Sequence, residues 1–124
     1  MTARIGIPMT DHLGEFEQLL LFALLRLEDE AYGVTIHREI ERRTSRSVAV
    51  GAVYTALQRL ENRGLVSSQV GEPTAERGGR RKRYYRLESA GAKALGESYA
   101  NLREMSKGLA PKLARLAAEG RTVS

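Results

Sequence analysis

The order of hydrophobic periods along the chain constrains its fold more than any other sequence feature. Apolar residues recur at steps of three and four from Leu13 to Glu28, from Gly33 to Thr44 and from about Ala49 to Asn62. Such spacing places them on one face of a helix, so three helices are predicted. The four polar residues Thr44 to Ser47 predict a turn between the second and third helices. Gly64 then follows at the place where a left-handed glycine often ends a helix.

The period changes to two after Gly64. Val66, Ser68 and Val70 alternate within Leu65 to Val70, which predicts a strand. Gly71 to Gly79 is typical of a loop, and Lys82 to Leu87, with its two tyrosines, predicts a second strand. These segments form a predicted β-hairpin with a long, glycine-rich tip.

The helical period returns in the C-terminal segment. It predicts a helix from Ser89 to about Lys107, which Gly108 and Pro111 end or kink, and a short helical piece beyond Pro111. Glu119 to Ser124 is predicted to be frayed. Four leucines fall seven residues apart, as in a coiled-coil seam, namely Leu95, Leu102, Leu109 and Leu116.

The order helix, helix, turn, helix, hairpin is that of a winged helix-turn-helix. We therefore predict a mainly α fold with a small β-hairpin, followed by a C-terminal dimerisation helix. The predicted parts are an N-terminal arm (residues 1–12), a winged helix-turn-helix DNA-binding domain (13–88) and the dimerisation helix (89–124).

Positive charge is concentrated in one short segment. The chain of 124 residues has a net charge of +5, yet Arg77 to Arg86 alone holds six cations and no acid. The rest of the chain is therefore close to neutral. A basic, glycine-containing hairpin beside an ordered helix favours a polyanionic partner such as DNA.

Several classes of function are disfavoured by what the sequence lacks. It has no cysteine and only two histidines, His12 and His37, so neither a metal site, a bound cofactor nor a catalytic group is predicted. The longest apolar run, Leu19 to Leu25, is far shorter than the roughly 20 residues of a membrane span. Met1 to His12 is not typical of a signal peptide. We expect a cytoplasmic protein that is not an enzyme and has no membrane partner.

The third helix fits the role of a recognition helix. The major groove of B-DNA, about 12 Å wide, admits one helix, and arginines of an adjacent hairpin can follow phosphates or enter the minor groove. At 100° per residue, Val50, Val53, Leu57 and Leu60 point inward. The outward and border positions, together with the preceding turn and the basic hairpin, supply the predicted DNA contacts: Ser47, Gly51, Ala52, Tyr54, Thr55, Gln58, Arg59, Arg80, Arg81, Lys82 and Arg83.

Apolar residues exceed what one small protein can cover. The first helix is apolar nearly all round, and the last helix has the leucine seam, so both predict burial against a second copy of the chain. The predicted dimer contacts are Phe16, Leu20, Leu24, Leu95, Tyr99, Leu102, Met105 and Leu109.

Three groups of residues along the chain resemble the PadR family of bacterial transcriptional regulators. The first comprises Leu13 to Glu17 and Tyr32-Gly33; the second is the continuous segment Gly51 to Val66; the third is Lys82 to Leu87 followed by Gly91. They keep their order and spacing over most of the chain.

The resemblance implies a homodimeric DNA-binding regulator. Its winged-helix domains would bind a palindromic operator, mostly as a repressor, and a small molecule or another signal would release it. It also implies that Tyr54 and Thr55 lie at the DNA face, with Arg83 in the wing. The chain departs from the family pattern in having Ala52 and Ala49 where Thr and a capping Ser or Thr are common, so Ser47 is considered as an alternative cap. It has no tryptophan to stack a planar ligand.

One alternative stays open from the sequence. A winged helix can also dock an acidic protein through its basic hairpin, and the fold alone does not distinguish the two functions. Against this, the predicted outer face of the third helix is polar, whereas protein-docking faces are rich in aromatic anchors.

Overall fold

Five helices and one antiparallel hairpin make up the part of the chain that the computed structural model describes, residues 12–72 and 81–120. This is the mainly α fold with a small hairpin that the hydrophobic periods predict. The elements in chain order are α1 (Glu15–Leu27), α2 (Gly33–Arg43), α3 (Val50–Asn62), β1 (Val66–Val70), β2 (Arg83–Leu87), α4 (Ser89–Ser106) and α5 (Ala110–Glu119).

A local hydrogen bond defines the start of α1, and an exposed turn follows its end. The backbone N–H of Gly14 donates to Oε1 of Glu17 (3.0 Å), which satisfies a donor that the first helical turn cannot pair. After Leu27 the chain continues as an exposed 3₁₀ turn, Glu28–Glu30. The three acids therefore form an exposed segment directly after α1.

The core lies where α1, α2 and α3 meet the base of the hairpin. Leu20, Leu21, Ile36, Leu57, Leu60 and Val53 are the largest fully buried side chains. Leu65, Val66 and Tyr85 extend this core under the hairpin, and Leu95 joins it from α4. The hydrophobic stripes of three helices are thus buried against one another, which is the main source of stability for short helices.

The connection between α2 and α3 is longer than the predicted four-residue turn and spans residues 44–49. The Thr44 hydroxyl donates to the Ile40 carbonyl (2.8 Å) and accepts the Arg46 N–H (3.1 Å). Val48 is held at both of its backbone groups, by the Glu41 carboxylate (2.8 Å) and the His37 ring (2.6 Å). Val48 therefore stays outside α3, and the N-cap residue Ala49 is extended rather than helical.

β1 and β2 pair antiparallel from Val66 opposite Leu87 to Val70 opposite Arg83. Gly64 has φ +76°, the left-handed conformation that the sequence predicts at this position, and it turns the chain from α3 into β1. Much of the predicted tip of the hairpin, residues 73–80, lies outside the described residues.

α4 and α5 extend away from this core. Gly91 and Leu95 are the buried residues of α4, and α5 has none. α4 ends at Ser106, Gly108 has φ +79°, and Pro111 stands in the first turn of α5. The break predicted from Gly108 and Pro111 is confirmed, and the second helical piece is longer than expected.

Four predicted side-chain positions need correction. Leu20, Leu24 and Leu95 are 0%, 3% and 3% exposed within a single copy, so they belong to its own core and offer no surface to a partner. Their prediction as dimer contacts is wrong, because each packs inside the core of one copy. Val50, predicted to point inward, is 47% exposed because the first turn of α3 extends beyond the core.

None of the helices in ranges 12–72 and 81–120 combines the length and the apolar character that crossing a bilayer requires.

Candidate nucleic-acid interface

The outer face of α3 is exposed along its length. Gly51, Thr55 and Gln58 follow one another at steps of four and three, and all three are exposed, as is Ala52 beside them. On the opposite face Val53, Ala56, Leu57 and Leu60 are buried. The helix therefore turns small and polar groups outward while its aliphatic stripe fixes it to α1 and α2.

The amide of Gln58 is held by a neighbour on the same face. Its Nε2 donates to Oδ1 of Asn62, one helical turn later, at 3.0 Å. This bond orients the Gln58 amide and leaves its oxygen and one N–H directed away from Asn62. An oriented amide can pair with both N6 and N7 of adenine, the usual bidentate contact of glutamine in the major groove.

Tyr54 lies at the border of this face, as predicted, and is 44% exposed. Its hydroxyl end packs over Gly33 at the start of α2: a Cβ on that glycine would lie 2.0 Å from the Tyr54 oxygen. Gly33 therefore allows α2 and α3 to approach each other closely at this point.

Basic side chains of the hairpin are connected to α3 by hydrogen bonds. Arg81 and Arg83 are exposed, whereas Lys82 is half-buried with its Nζ 4.7 Å from the centre of the Tyr32 ring. Arg80 and Arg77 lie outside the described residues. Arg83 donates from Nη1 to the Ser68 hydroxyl (3.0 Å), and Ser68 in turn bonds to the Glu61 carboxylate of α3 (2.8 Å). One serine thus connects the basic strand with α3.

Arg59 lies at the edge of the exposed face of α3, on the side that meets α1. Its Nε is 3.9 Å from Oε2 of Glu17 in α1, and its side chain remains 56% exposed. Arg63 approaches the same carboxylate more closely (3.4 Å) and donates to the His12 carbonyl (3.0 Å). Glu17 therefore brings α1 to the C-terminal half of α3 and places Arg59 at the edge of the exposed face.

The N-terminal end of α3 has no side-chain cap. Ala49 is the N-cap residue, and the N–H groups of Ala52 and Val53 reach only its backbone carbonyl, at 3.0 and 3.4 Å. Ser47 lies exposed in the preceding connection and does not cap the helix, so that alternative is wrong. Ser47 remains a predicted DNA contact, since the start of α3 is open to an incoming phosphate.

Sequence reasoning missed three residues that shape this surface. Asn62 extends the Gly51, Thr55 and Gln58 face by one more turn, and its spacing alone could have indicated this. His37 binds the Val48 carbonyl and thus holds the connection into α3. Tyr32 packs against Tyr84 near the start of β2, a contact between residues far apart in sequence that no local pattern reveals.

Two ionisable groups behind the surface have shifted pKa values. Hydrogen bonds from Arg42 and then Arg43 lower the pKa of Glu39, a buried carboxyl in α2, despite the opposing effect of burial. Burial raises the pKa of the Tyr85 phenol at the base of the hairpin. Neither group lies on the exposed face of α3.

Within ranges 12–72 and 81–120, no three His, Asp or Glu side chains are grouped so that they could hold a metal ion.

Comparison with known proteins gives one family. Residues 21–97 match the "Transcriptional regulator PadR-like family". An uncharacterized protein of Lysinibacillus sphaericus is 35% identical over 86 residues, covering 68% of this chain and 74% of that protein.

Solved structures agree with this match. The PadR family transcription regulator of Clostridium difficile R20291 is 26% identical, with a TM-score of 0.66 over 81% of this chain and 99% of that one. A transcriptional regulator of Clostridium thermocellum is 25% identical, with a TM-score of 0.61 over 73% and 85% of the two chains. Together with the winged helix and its exposed recognition helix, these matches identify the chain as a member of the PadR-like family of transcriptional regulators.

Proposed function

We propose that this chain forms a homodimer that binds a palindromic operator and represses transcription from it. The observation that carries the proposal is the exposed polar face of α3 together with the exposed Arg81 and Arg83 of the hairpin. Arg83 is linked to α3 through the Ser68 hydroxyl and the Glu61 carboxylate. Thr55 and Gln58 then contact base edges, while Arg81 and Arg83 contact phosphates. Gly51 and Ala52 let the helix backbone approach the groove closely.

Exposed apolar residues after the winged helix support the dimer. Tyr99, Leu102, Met105 and Leu109 are 49%, 59%, 80% and 44% exposed in a single copy. Phe16 of α1 is only half-buried. Covering these side chains with a second copy removes them from water, and two-fold symmetry then presents two recognition helices to successive major grooves.

Repression and release of the operator by a small molecule or another signal are supported by the family resemblance. The same holds for a half-site spacing of about one helical turn, roughly 34 Å, which is the geometry of dimeric helix-turn-helix proteins.

Binding to DNA is tested by gel shift with genomic fragments over a range of salt concentrations. We expect a tight complex with a fragment that contains an inverted repeat, the segment upstream of the chain's own gene being the first to test. The affinity should fall steeply with salt because phosphate contacts release counterions. Failure to find a tight complex at any salt concentration would contradict the proposal, and capture of an acidic protein free of nucleic acid would favour the alternative docking function.

Paired variants separate phosphate contacts from base contacts. The double change Arg81→Ala and Arg83→Ala should weaken binding to all sequences. It should also reduce the salt slope, which is the slope of the logarithm of DNA affinity against the logarithm of salt concentration, by about 1 for each phosphate that the variant no longer binds. The double change Lys93→Ala and Lys112→Ala removes the same charge from exposed positions on α4 and α5 and should leave the slope unchanged. Equal slopes for the two variants would show that the wing makes no phosphate contacts.

A further inference from the structure

The first two residues at the start of α2, Tyr32 and Gly33, contact two separate parts of the candidate interface. Tyr32 is the N-cap residue of α2, and Gly33 is its first helical residue. One of them packs against the hairpin and the other against α3. Neither belongs to the exposed face of α3 nor to the basic strand itself.

The contact with the hairpin is aromatic and cationic. The Tyr32 and Tyr84 rings meet edge to face, with centroids 5.4 Å apart and planes at 70°. The ammonium of Lys82 lies 4.7 Å from the centre of the same Tyr32 ring. Tyr84 is also packed against Gly71, which follows β1, where a Cβ would lie 2.7 Å from its ring. The Tyr32 ring is therefore in contact with the part of the hairpin from which Arg81 and Arg83 extend.

Backbone pairing joins the same two segments. The Tyr85 N–H donates to the Ala31 carbonyl at 2.8 Å, and Tyr32 forms a β-bridge with Tyr84. Within β2, Tyr85 is the one buried residue. The core thus anchors the middle of the strand through Tyr85, whereas Tyr32 holds the strand on the side toward Lys82.

The contact with α3 is made by Gly33. Its Cα is so close to the Tyr54 ring that an added Cβ would overlap the hydroxyl, Cζ and Cε1 of that ring, at 2.0 to 2.6 Å. The two consecutive residues therefore meet the recognition helix on one side and the wing on the other. A shift of either element relative to the start of α2 disturbs one of these contacts.

We propose that Tyr32 is a positioning residue that holds the wing at a defined place relative to the recognition helix. Gly33 contributes by leaving room for the Tyr54 ring to pack against the start of α2. The inference rests on the proposed DNA binding, since it states how the two contacting elements are kept in register for one duplex. Its physical reason is that base contacts by α3 and phosphate contacts by the wing reinforce each other only if their separation matches the DNA.

Removing the ring tests this directly. Tyr32→Ala loses an aromatic pair and a cation–π contact, together worth roughly a factor of ten in an equilibrium constant. We expect its DNA affinity to fall about tenfold, with a smaller salt slope and an unchanged order of preference among operator variants. Tyr32→Phe keeps the ring and should restore the wild-type affinity and slope.

Thr35→Ala is the matched control for damage to the same helix end. The Thr35 hydroxyl accepts the Tyr32 N–H (3.0 Å) and donates to the Glu30 carbonyl (2.5 Å), so its removal destabilises the start of α2 but leaves the ring in place. We expect Thr35→Ala to lower the unfolding temperature without changing the salt slope. An equal loss of slope in Thr35→Ala and Tyr32→Ala would overturn the proposal.

A distance measurement tests positioning without DNA. Because the chain has no cysteine, spin labels can be attached at Asn62→Cys on α3 and Glu72→Cys after β1, both exposed, and diluted with unlabelled protein. We expect a narrow distance distribution in the parent and in Thr35→Ala, and a broadened or shifted one in Tyr32→Ala. An unchanged distance distribution in Tyr32→Ala would overturn the inference. A changed distribution in Tyr32→Ala with an unchanged DNA affinity would overturn it as well. Absence of DNA binding by the parent protein would instead contradict the proposed function, while the distances still report on Tyr32.

Discussion

At the scale of single residues, Glu39 is a charged group whose protonation is linked to folding. It is 8% exposed, and its carboxylate accepts hydrogen bonds from Arg42 (2.7 Å) and Arg43 (2.5 Å) within α2. These bonds lower its pKa in the folded protein. A carboxyl whose pKa is lower in the folded state stabilises the fold above its unfolded-state pKa, and that contribution is lost as the pH falls through the lower, folded-state pKa.

We therefore expect Glu39→Gln to destabilise the protein at neutral pH and much less in acid. The change keeps the shape of the side chain but removes the charge that the two arginines bind. Urea unfolding at several pH values measures the difference in free energy of unfolding. Glu97→Gln, an exposed position on α4, should show no such difference. A destabilisation by Glu39→Gln that is the same at neutral and acidic pH would contradict the prediction.

Gln58 and Asn62 form a second residue-scale unit, on the exposed face of α3. Gln58→Ala should remove roughly 1–3 kcal/mol of discrimination at one base pair of each half-site, because the variant cannot make the bidentate hydrogen bonds to that base. Asn62→Ala should reduce discrimination at the same base pair by a smaller amount, since it only frees the Gln58 amide to rotate. Binding of an operator library by each variant checks both effects. If Gln58→Ala and Asn62→Ala reduced discrimination at two different base pairs, the two residues would act independently.

Periodicity correctly predicted the direction of side chains in the part of α3 whose inner face packs against other elements. Thr55 and Gln58 are exposed and Val53, Leu57 and Leu60 are buried, as the 100° projection indicates. The projection is wrong for Val50 because a helical period does not show where the neighbouring elements end. It also gave no sign of Tyr32, whose partners lie about 50 residues away in the sequence.

At the scale of elements, the packing of α4 against the hairpin depends on one glycine. A Cβ on Gly91 would lie 2.2 Å from the Leu65 carbonyl oxygen and 3.0 Å from its carbon, and backbone atoms cannot move aside cheaply. The Glu88 N–H donates to that same carbonyl at 3.0 Å. The start of α4 therefore lies directly on the chain that enters β1.

Gly91→Ala should destabilise the fold by roughly 1–3 kcal/mol, because the added methyl group overpacks this site. Gly96→Ala is the matched control in the same helix, since nothing lies within 4 Å of its added Cβ. It should instead raise stability by about 0.5–1 kcal/mol through the better helix propensity of alanine. Chemical unfolding of both variants measures the two changes. A similar effect of the two substitutions would show that α4 can shift away from β1 without cost.

Element type and order could be predicted because they depend on local periods and on glycine and proline. The break at Gly108 and Pro111 is such a case, since neither residue continues an α-helix. The length of the connection into α3 could not be predicted. Val48 continues an apolar pattern, yet Glu41 and His37 bind its backbone groups and it lies outside α3.

At the scale of the whole molecule, apolar side chains remain exposed on α4 and α5. Met105 and Leu113 are 80% and 63% exposed, and Leu102 is 59% exposed. Phe22 of α1 meets Tyr99 edge to face at 6.0 Å, so this exposed surface begins beside the core. A surface of this kind is costly in water unless another molecule covers it.

Replacing Leu102 and Met105 by glutamate should therefore dissociate the proposed dimer. Ala100→Glu adds a charge at an exposed position on the other side of α4 and should leave the dimer intact. Sedimentation velocity over a range of concentrations distinguishes the two states. Should the double variant fail to fold, the unfolding temperature of the parent protein still gives a test, since it rises with concentration only for a dimer. A monomeric parent whose unfolding temperature is independent of concentration would contradict the proposal.

The sequence by itself determined the order of the elements, the winged-helix class, the concentration of positive charge in one hairpin and the family to which the chain belongs. These properties follow from spacing and composition, which are local. Only the tertiary structure decided which apolar residues are core and which stay exposed: Leu20, Leu24 and Leu95 are buried within one copy, whereas Leu102 and Met105 are not. A hydrophobic period marks a face as apolar but does not identify what covers it. The meeting of Tyr32 with the wing and of Gly33 with α3 likewise depends on how distant segments pack.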